Sequence, residues 1–431
     1  MEWKNSKWKK PLLVKGARQI GKTYIIREFG KQNYESYIEL NFLLYPEHRK
    51  YFDGNLDVEK IISEISLDFE NVKFINQKTL IFLDEIQDCG QARTALKSFA
   101  EDGRFDVIAS GSMLGVAYKQ TLSIPVGYES QVEMFAMDFE EYLWAIGRNA
   151  KTIDYVRDYF TKKDQVPNGM NDTMLKLLRE YMIIGGMPAA VNVFIESSNF
   201  GEVHRVQTEI INSYLDDIAK YAPVAERSKA RSCYLSLPRQ LAKENKKFQF
   251  SVVEKDGTAR KFDNSVEWLR DAGLVKLCNN VSTPEFPLAA YAQMGYYKIY
   301  ASDIGILNAM YDFEIKKKIY NNTLKGSMKG GIYENLVADM LLKKNLPLFY
   351  YKPGENKQEI EFLHEYKGDV IPIEVKAGNA QTRSLDEFIK QFKPPYALKF
   401  ITGNIGQVDT KITMPLYMAM FLKNSLYEDN D

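Results

Sequence analysis

The chain has 431 residues, a length that predicts about three folded units. Hydrophobic residues make up 45% of the chain and charged residues 26%, which excludes a protein that is disordered along its whole length. The 57 Lys and Arg residues balance the 57 Asp and Glu residues, so the net charge attracts neither nucleic acid nor an anionic membrane. Only local charge patches are therefore informative about partners.

Cysteine and histidine are both scarce, with three residues of each in the chain. The cysteines are far apart and form no CxxC motif, so the sequence favours neither a disulfide framework nor a thiolate zinc site. A metal site would instead use carboxylates, which suit Mg²⁺. The apolar stretch 181–193 is too short to cross a bilayer and no signal-peptide core is found, so we expect a cytoplasmic protein without a membrane partner.

The first part of the chain, from Pro11 to about Gly147, alternates short β-rich runs with helix-like or turn-rich segments. This alternation predicts an α/β domain with a parallel sheet. The predicted strands are Pro11–Lys15, Ser36–Asn41, Thr79–Leu83, Asp106–Ser110 and Ser130–Phe135.

Helical spacing replaces the strand pattern between about Tyr155 and Arg239, as in Met174–Met182 and Val206–Tyr221. An amphipathic helix at Asn264–Ala272 and two strands then follow in the order of a winged helix. After the polar stretch Lys316–Gly331, a second α/β unit is predicted. Its helices are Tyr333–Lys344, Ser384–Phe392 and Leu416–Leu422, and its strands are Leu348–Tyr351, Glu359–His364, Val370–Lys376 and Leu398–Thr402.

A phosphate-binding loop is predicted at Gly16–Thr23, which matches G-x-x-x-x-G-K-[ST] between an apolar strand and a helix-like segment. Glycines permit a tight loop whose N–H groups converge on an anion at a helix N-terminus. Lys22 should reach the β- and γ-phosphates of ATP, and Thr23 should bind Mg²⁺. The alternative is an ordinary glycine-containing turn. The predicted nucleotide-binding residues are Gly16, Ala17, Arg18, Gln19, Ile20, Gly21, Lys22, Thr23 and Tyr24.

Two adjacent carboxylates end the apolar run Thr79–Leu83. Asp84 can bind the metal, and Glu85 can polarise a water for attack on the γ-phosphoryl group. Ser110, at the end of the next predicted strand, is a candidate γ-phosphate sensor. The predicted catalytic residues are thus Glu85, Lys22 and Ser110, whereas a solvated strand end and simple turn chemistry are the alternatives.

These three motifs and their spacing resemble the bacterial and archaeal AAA+-type ATPases whose P-loop domain is followed by a domain of unknown function, number 4143. Some relatives carry Gly-Arg where this chain has Gly127-Tyr128, so no arginine acting on the nucleotide is assigned there. Relatives also commonly begin with an extra basic helix, so a truncated start is one interpretation. Later segments that share the resemblance are Val126-Gly127, Met137–Leu143, Ile184–Pro188, Tyr214–Ile218, Lys298–Tyr300 and Asp303–Gly305.

A second constellation follows near the C-terminus, where Glu361 lies on one predicted strand and Glu374 and Lys376 lie on the next. Side chains two residues apart on a strand share a face, so an acid and a lysine can converge there. The pattern resembles the PD-(D/E)xK nuclease core. The resemblance implies that Glu361 and Glu374 hold Mg²⁺, Glu334 supports them and Lys376 positions a water. Glu361 departs from the usual Asp, and a surface salt bridge is the alternative.

The expected architecture is α/β throughout its two larger domains. It combines a parallel-sheet P-loop ATPase domain, a helical subdomain, a winged-helix-like domain and a restriction-endonuclease-like α/β domain. The expected ranges are 1–147, 148–225, 226–315 and 316–431.

Two functions remain open at this point. Ten basic and five acidic residues between Glu226 and Asp263 favour a positive surface before the winged helix, so double-stranded DNA is one expected partner. In that hypothesis ATP hydrolysis drives a DNA-associated, nuclease-like module. In the other, ATP controls a switch or scaffold for a protein partner and the nuclease fold is inactive. A small-molecule kinase would need a second substrate pocket, which the sequence does not reveal.

Overall fold

A computed structural model describes residues 1–70, 72–113, 127–354, 359–378 and 383–423. Val126, one of the residues that carry the family resemblance, lies outside these ranges. The chain forms two compact units, the first comprising Met1–Phe135 with Asp271–Gly273 and the second comprising the remaining residues. The four domain ranges expected from the sequence stay predictions. Among the described residues, every helix is too short or too polar to span a lipid bilayer.

The first unit contains a five-stranded sheet in which all neighbouring strands are parallel. The prediction of a parallel α/β domain is therefore confirmed. The strand order β2-β3-β4-β1-β5 places β4 between β1 and β3. The strands are β1 (Leu12–Gly16), β2 (Ser36–Asn41), β3 (Thr79–Asp84), β4 (Asp106–Ser112) and β5 (Ser130–Glu133).

Alternation along β3 explains why this sheet is buried on both faces. Ile81 and Leu83 belong to one apolar cluster, whereas Leu80 and Phe82 belong to another. Side chains point to opposite faces at successive positions, so helices must cover both sides of a strand with this continuous apolar run. The described helices of the unit are α1 (Glu2–Asn5), α2 (Lys22–Asn33), α3 (Val58–Asp68) and α4 (Gly90–Asp102).

The second unit begins with helices, as the change of periodicity predicts. Met174–Met182 and Val206–Tyr221 both lie inside longer helices. Gly186 separates two of them, and a Cβ added there would lie 1.9 Å from the Met137 carbonyl oxygen, so only glycine fits. The helices are α5 (Phe139–Ala145), α6 (Ala150–Lys162), α7 (Asn168–Ile184), α8 (Pro188–Ser197), α9 (Phe200–Tyr221), α10 (Arg227–Leu241), α11 (Phe250–Val253), α12 (Ala259–Asp271), α13 (Ile304–Ala309), α14 (Phe313–Tyr320), α15 (Gly326–Lys343) and α16 (Arg383–Phe392).

An eight-stranded mixed sheet completes the second unit, in the order β12-β13-β11-β10-β9-β8-β6-β7. The antiparallel pair β6 and β7 comes from the predicted winged-helix range, and β6 pairs with β8 from the predicted nuclease-like range. Both ranges thus contribute to one sheet. The strands are β6 (Val275–Val281), β7 (Ala292–Ala301), β8 (Phe349–Tyr351), β9 (Ile360–Tyr366), β10 (Asp369–Val375), β11 (Ala397–Ile401), β12 (Gly406–Val408) and β13 (Lys411–Pro415).

Three local features add to what the sequence predicts. The polar stretch Lys316–Gly331 includes the end of α14 and the start of α15. The helix predicted at Leu416–Leu422 is a 3-10 helix that spans Leu416–Phe421. Strands β12 and β13 had no sequence counterpart.

Candidate nucleotide site and carboxylate cluster

The predicted phosphate loop joins the end of β1 to the start of α2. Gly21 has φ 96°, a left-handed conformation that glycine adopts without strain. A Cβ on Gly16 would lie 2.3 Å from the Met134 carbonyl oxygen, so no side chain fits where β1 ends. Helix α2 begins directly after the loop, and its N-terminus favours an anion. The backbone therefore has the form that phosphate binding requires.

Lys22 is the first residue of α2, and only 8% of it is exposed. Its Nζ donates hydrogen bonds to the carbonyl oxygens of Gly16 at 3.1 Å and Ala17 at 2.7 Å. Burial lowers the pKa of Lys22 to about 8, although the charges of Glu85 and Asp84 oppose this shift. The ammonium group is thus mainly charged at neutral pH and is held beside the loop.

Asp84 ends β3 and is 1% exposed. Thr23 Oγ1 lies 3.2 Å from each of its carboxylate oxygens, and Ser110 Oγ donates to Oδ1. Burial raises the pKa of Asp84, while the hydroxyls of Ser110 and Thr23 act in the opposite direction. Asp84 forms no ion pair with a described Lys or Arg side chain. The structure thus brings Thr23, Asp84 and Ser110 together.

Asn41, which sequence reasoning missed, also belongs to this group. Its Nδ2 donates to Asp84 Oδ2 at 2.8 Å, and its Oδ1 accepts from the backbone N–H groups of Leu43 and Leu44. Asn41 is paired with Asp84 in the parallel register of β2 and β3. The signal was available, because Asn41 is a polar residue that ends a predicted strand, as Ser110 is.

Glu85 follows Asp84 with φ 55°, the left-handed region that is unusual for a side-chain-bearing residue. Its carboxylate accepts a hydrogen bond from Gln87 Nε2, a contact that the sequence did not predict. Among the other predicted loop residues, Tyr24 is 70% exposed on the first turn of α2. The roles assigned to these residues stay predictions.

The oxygen atoms at this site fit Mg²⁺. The Thr23 hydroxyl and the Asp84 carboxylate are hard donors, and they lie next to each other at the N-terminus of α2. Because Asp84 carries no neutralising cation of its own, its charge is available to a divalent ion.

The C-terminal constellation is arranged differently. Lys376 Nζ lies 2.7 Å from an oxygen of Glu361 and 2.7 Å from an oxygen of Glu374, so the structure brings these three predicted residues together. Glu361 Oε2 also accepts from the Val375 N–H at 2.8 Å. Burial and the nearby charge of Glu374 raise the pKa of Glu361 to about 8. Glu374 Oε2 is buried without a hydrogen-bond partner.

Glu334 does not join the Lys376 group through a direct contact but belongs to a second set of ion pairs. Lys246 and Lys298 lie 2.8 and 2.7 Å from its two carboxylate oxygens, and the Tyr300 hydroxyl donates to it. Burial alone would raise the pKa of Glu334, but the two lysines lower it to about 2. Lys298 is fully buried and pairs with Glu359 as well. Sequence reasoning missed Lys246, Lys298 and Glu359.

These carboxylates do not fit a Mg²⁺ site as they are arranged. Each carboxylate in the cluster pairs with at least one lysine, and in the part of the chain that the structure describes no three acidic, His or Cys side chains are placed to hold a metal. A divalent ion would have to displace an ammonium group. In this arrangement the cluster is a set of internal ion pairs.

Three models of known families match the chain. Residues 8–143 match the model of an AAA domain, and residues 329–417 match a domain of unknown function, number 4143. Residues 175–317 match another domain of unknown function, number 8612. The first match defines a protein that carries an ATPase domain of the AAA type. With the second match, the resemblance to AAA-type ATPases that carry domain 4143 is confirmed.

A search of solved structures finds similar chains, whereas no curated protein matches the sequence. A Walker-type ATPase of Pyrococcus abyssi is 14% identical, with 70% of this chain and 91% of that chain covered and a TM-score of 0.38. AMPPCP-bound DnaA from Aquifex aeolicus is 12% identical, covering 62% and 83%, with a TM-score of 0.28. Cdc6p from Pyrobaculum aerophilum is 12% identical, covering 73% and 88%, with a TM-score of 0.24. Similarity at this level supports no inference about substrate or partner.

Proposed function

We propose that the chain hydrolyses ATP at the Gly16–Thr23 loop in a Mg²⁺-dependent reaction. The observation that carries this proposal is the environment of Asp84. Its carboxylate is buried and held by Thr23, Ser110 and Asn41, yet it has no ion-pair partner among the described residues. A buried, uncompensated carboxylate beside a phosphate loop suits a bound cation.

Each residue then has a definite task. Lys22 pairs with the β- and γ-phosphates, and the N-terminus of α2 contributes its partial positive charge. Thr23 and Asp84 hold Mg²⁺, which when bound offsets the charge that develops on the transferred phosphoryl group. Glu85 orients the attacking water and accepts its proton, and Ser110 contacts the γ-phosphate. Asn41 fixes the position of Asp84.

The nucleotide state, in our proposal, controls a DNA-associated module formed by residues 226–431. Support comes from the order of α10, α11, α12 and the antiparallel strands β6 and β7, which is that of a winged helix. On α12, Phe262 and Trp268 are buried, whereas Arg260 is exposed, as is Lys261, which pairs with Glu254 at 2.6 Å. Such a face would place basic side chains against DNA phosphates.

The alternative is an ATP-controlled switch that binds a protein partner through a nuclease-like fold without cleavage. The arrangement favours the absence of cleavage, because Glu374 and Glu334 pair with lysines and the raised pKa of Glu361 favours its protonated form at neutral pH. This observation favours neither the presence nor the absence of DNA binding. The two proposals therefore differ in the partner, and both leave the C-terminal cluster without a metal-dependent reaction.

The deciding experiment measures ATP hydrolysis in Mg²⁺ with and without double-stranded DNA. DNA association predicts stimulation that Arg260→Ala reduces and that Arg205→Ala, on the exposed face of α9, leaves unchanged. Unchanged turnover on adding DNA, together with ATP-dependent capture of a protein, would favour the switch. DNA cleavage in Mg²⁺ or Mn²⁺ that is lost in Glu374→Ala would show that the C-terminal cluster does hold a metal, contrary to its observed arrangement.

A further inference from the structure

A cavity of about 410 Å³ in the second unit lies among residues that have no assigned function. It is lined by α6, by strands β9, β11 and β13, and by the last 3-10 helix. Its volume is in the range of small-molecule sites. None of its lining residues belongs to the nucleotide loop or to the carboxylate cluster.

The cavity wall is largely aromatic and aliphatic. Phe160 and Phe421 come from helices, with ring centroids 5.7 Å apart, and Tyr366 and Tyr396 come from the sheet region. Aromatic rings favour flat ring systems, which they contact by stacking or edge-to-face. The aliphatic lining residues are Leu398, Ile412, Met414 and Leu422.

His364 is a polar group of this wall that can bond to a ligand. It is 5% exposed and lines the cavity. Burial lowers the pKa of His364 to about 4, so the imidazole is neutral at pH 7 and offers one N–H donor and one acceptor nitrogen. A hydroxyl or similar group on a bound molecule can therefore hydrogen-bond to a ring nitrogen of His364.

The charges around the cavity are all positive. Lys163 and Lys423 are exposed lining residues that form no ion pair within the described part of the chain. Arg157 also lines the cavity, but Glu140 neutralises it at 2.6 Å. No Asp or Glu occurs among the described lining residues. The two lysines therefore complement an anionic group on the ligand.

We propose that this cavity binds a small, flat aromatic anion. The ring system lies between the aromatic side chains, a hydroxyl or similar group on the ring bonds to His364, and the anionic group pairs with Lys163 and Lys423. This site is separate from ATP hydrolysis and does not depend on it.

The test uses isothermal titration calorimetry of the full chain with 6-hydroxy-2-naphthoate, and with 2-naphthoate, which lacks the hydroxyl. We expect one saturable site per chain and about fivefold tighter binding of the hydroxylated probe, as one hydrogen bond supplies. His364→Phe should abolish that preference while keeping the cavity filled. Lys163→Gln combined with Lys423→Gln should weaken both probes about tenfold, and Lys151→Gln, exposed elsewhere on α6, should change neither.

Three results would overturn the proposal. One is the absence of saturable binding to the wild-type chain. Another is equal affinity for decanoate, which has the charge without the ring. The third is an unchanged preference for the hydroxyl in His364→Phe, provided that circular dichroism shows this variant to melt like the wild type.

Discussion

The two clusters of acids and lysines in this chain use the same residue types in opposite ways. At the phosphate loop, Asp84 accepts hydrogen bonds from Thr23, Ser110 and Asn41, and Lys22 bonds to backbone carbonyls. Neither charge is cancelled by a direct ion pair with another described side chain. Such a site can bind charged ligands, because a ligand can balance the charges of Lys22 and Asp84.

In the C-terminal cluster the acidic side chains and the lysines pair with one another. Lys376 joins Glu361 to Glu374, and Lys298 joins Glu334 to Glu359. A metal ion would have to displace these ammonium groups and, at Glu361, the proton that burial and the charge of Glu374 hold by raising its pKa to about 8. The comparison teaches that carboxylates in a catalytic-looking pattern must be judged by their counter-ions as well as by their spacing.

The largest effect on stability should come from removing a lysine of the C-terminal cluster. Lys298→Met leaves Glu334 and Glu359 without their shared cation, so we expect the free energy of unfolding to fall by about 3 kcal/mol in chemical denaturation. Lys97→Met is the matched control, because its pair with Glu101 is exposed and should contribute less than about 1 kcal/mol. Equal losses in the two variants would mean that the cluster is not a structural ion-pair network.

At the nucleotide site, removing a lysine should act on the ligand rather than on the fold. Lys22→Ala should weaken ATP binding about 100-fold, since a charge that faces phosphates is lost, with little change in the melting temperature. Fluorescence titration with a labelled nucleotide measures the first effect and calorimetry the second. A variant that binds ATP as the wild type does would disprove the role of Lys22.

A smaller effect concerns pH. Because burial and the charge of Glu374 raise the pKa of Glu361 from its ordinary 4.5 to about 8, the folded state holds this proton more tightly than the unfolded state. The stabilisation from Glu361 should therefore be complete below about pH 4.5 and decline as the pH rises toward 8. Glu361→Gln should remove this decline from denaturation curves measured across the range, whereas Glu387→Gln, an exposed position on α16, should preserve it. Parallel curves for wild type and Glu361→Gln would contradict the shift.

The difference between the two sites also explains what the sequence could predict. Gly16–Thr23 is a contiguous motif between a strand and a helix, so local patterns sufficed for the loop, and the end of β3 supplied Asp84 and Glu85. Asn41 could have been found by the same strand-end rule. The contacts of Glu85 with Gln87 depend on a left-handed turn that no pattern indicated.

Local sequence patterns could not predict the ion-pair partners of the C-terminal acids. Lys298 lies on β7, which belongs to the same sheet as β9, and Lys246 lies next to Lys247, which forms a β-bridge with Lys298. Both lysines precede Glu361 by many residues, so only the fold brings them to the cluster. The sequence also did not predict the helix α14, which overlaps the polar stretch Lys316–Gly331. Lys316 on this helix is buried and donates a hydrogen bond to Gln207, a contact between residues far apart in sequence.

The most direct test of the account is ATP turnover in Mg²⁺ by two matched variants, Glu85→Gln and Glu374→Gln. Each replaces one candidate catalytic carboxylate with its amide. We predict that Glu85→Gln still binds ATP but hydrolyses it about 10² to 10⁴ times more slowly, while Glu374→Gln turns over like the wild type. Normal hydrolysis by Glu85→Gln would contradict the assignment of the nucleotide site.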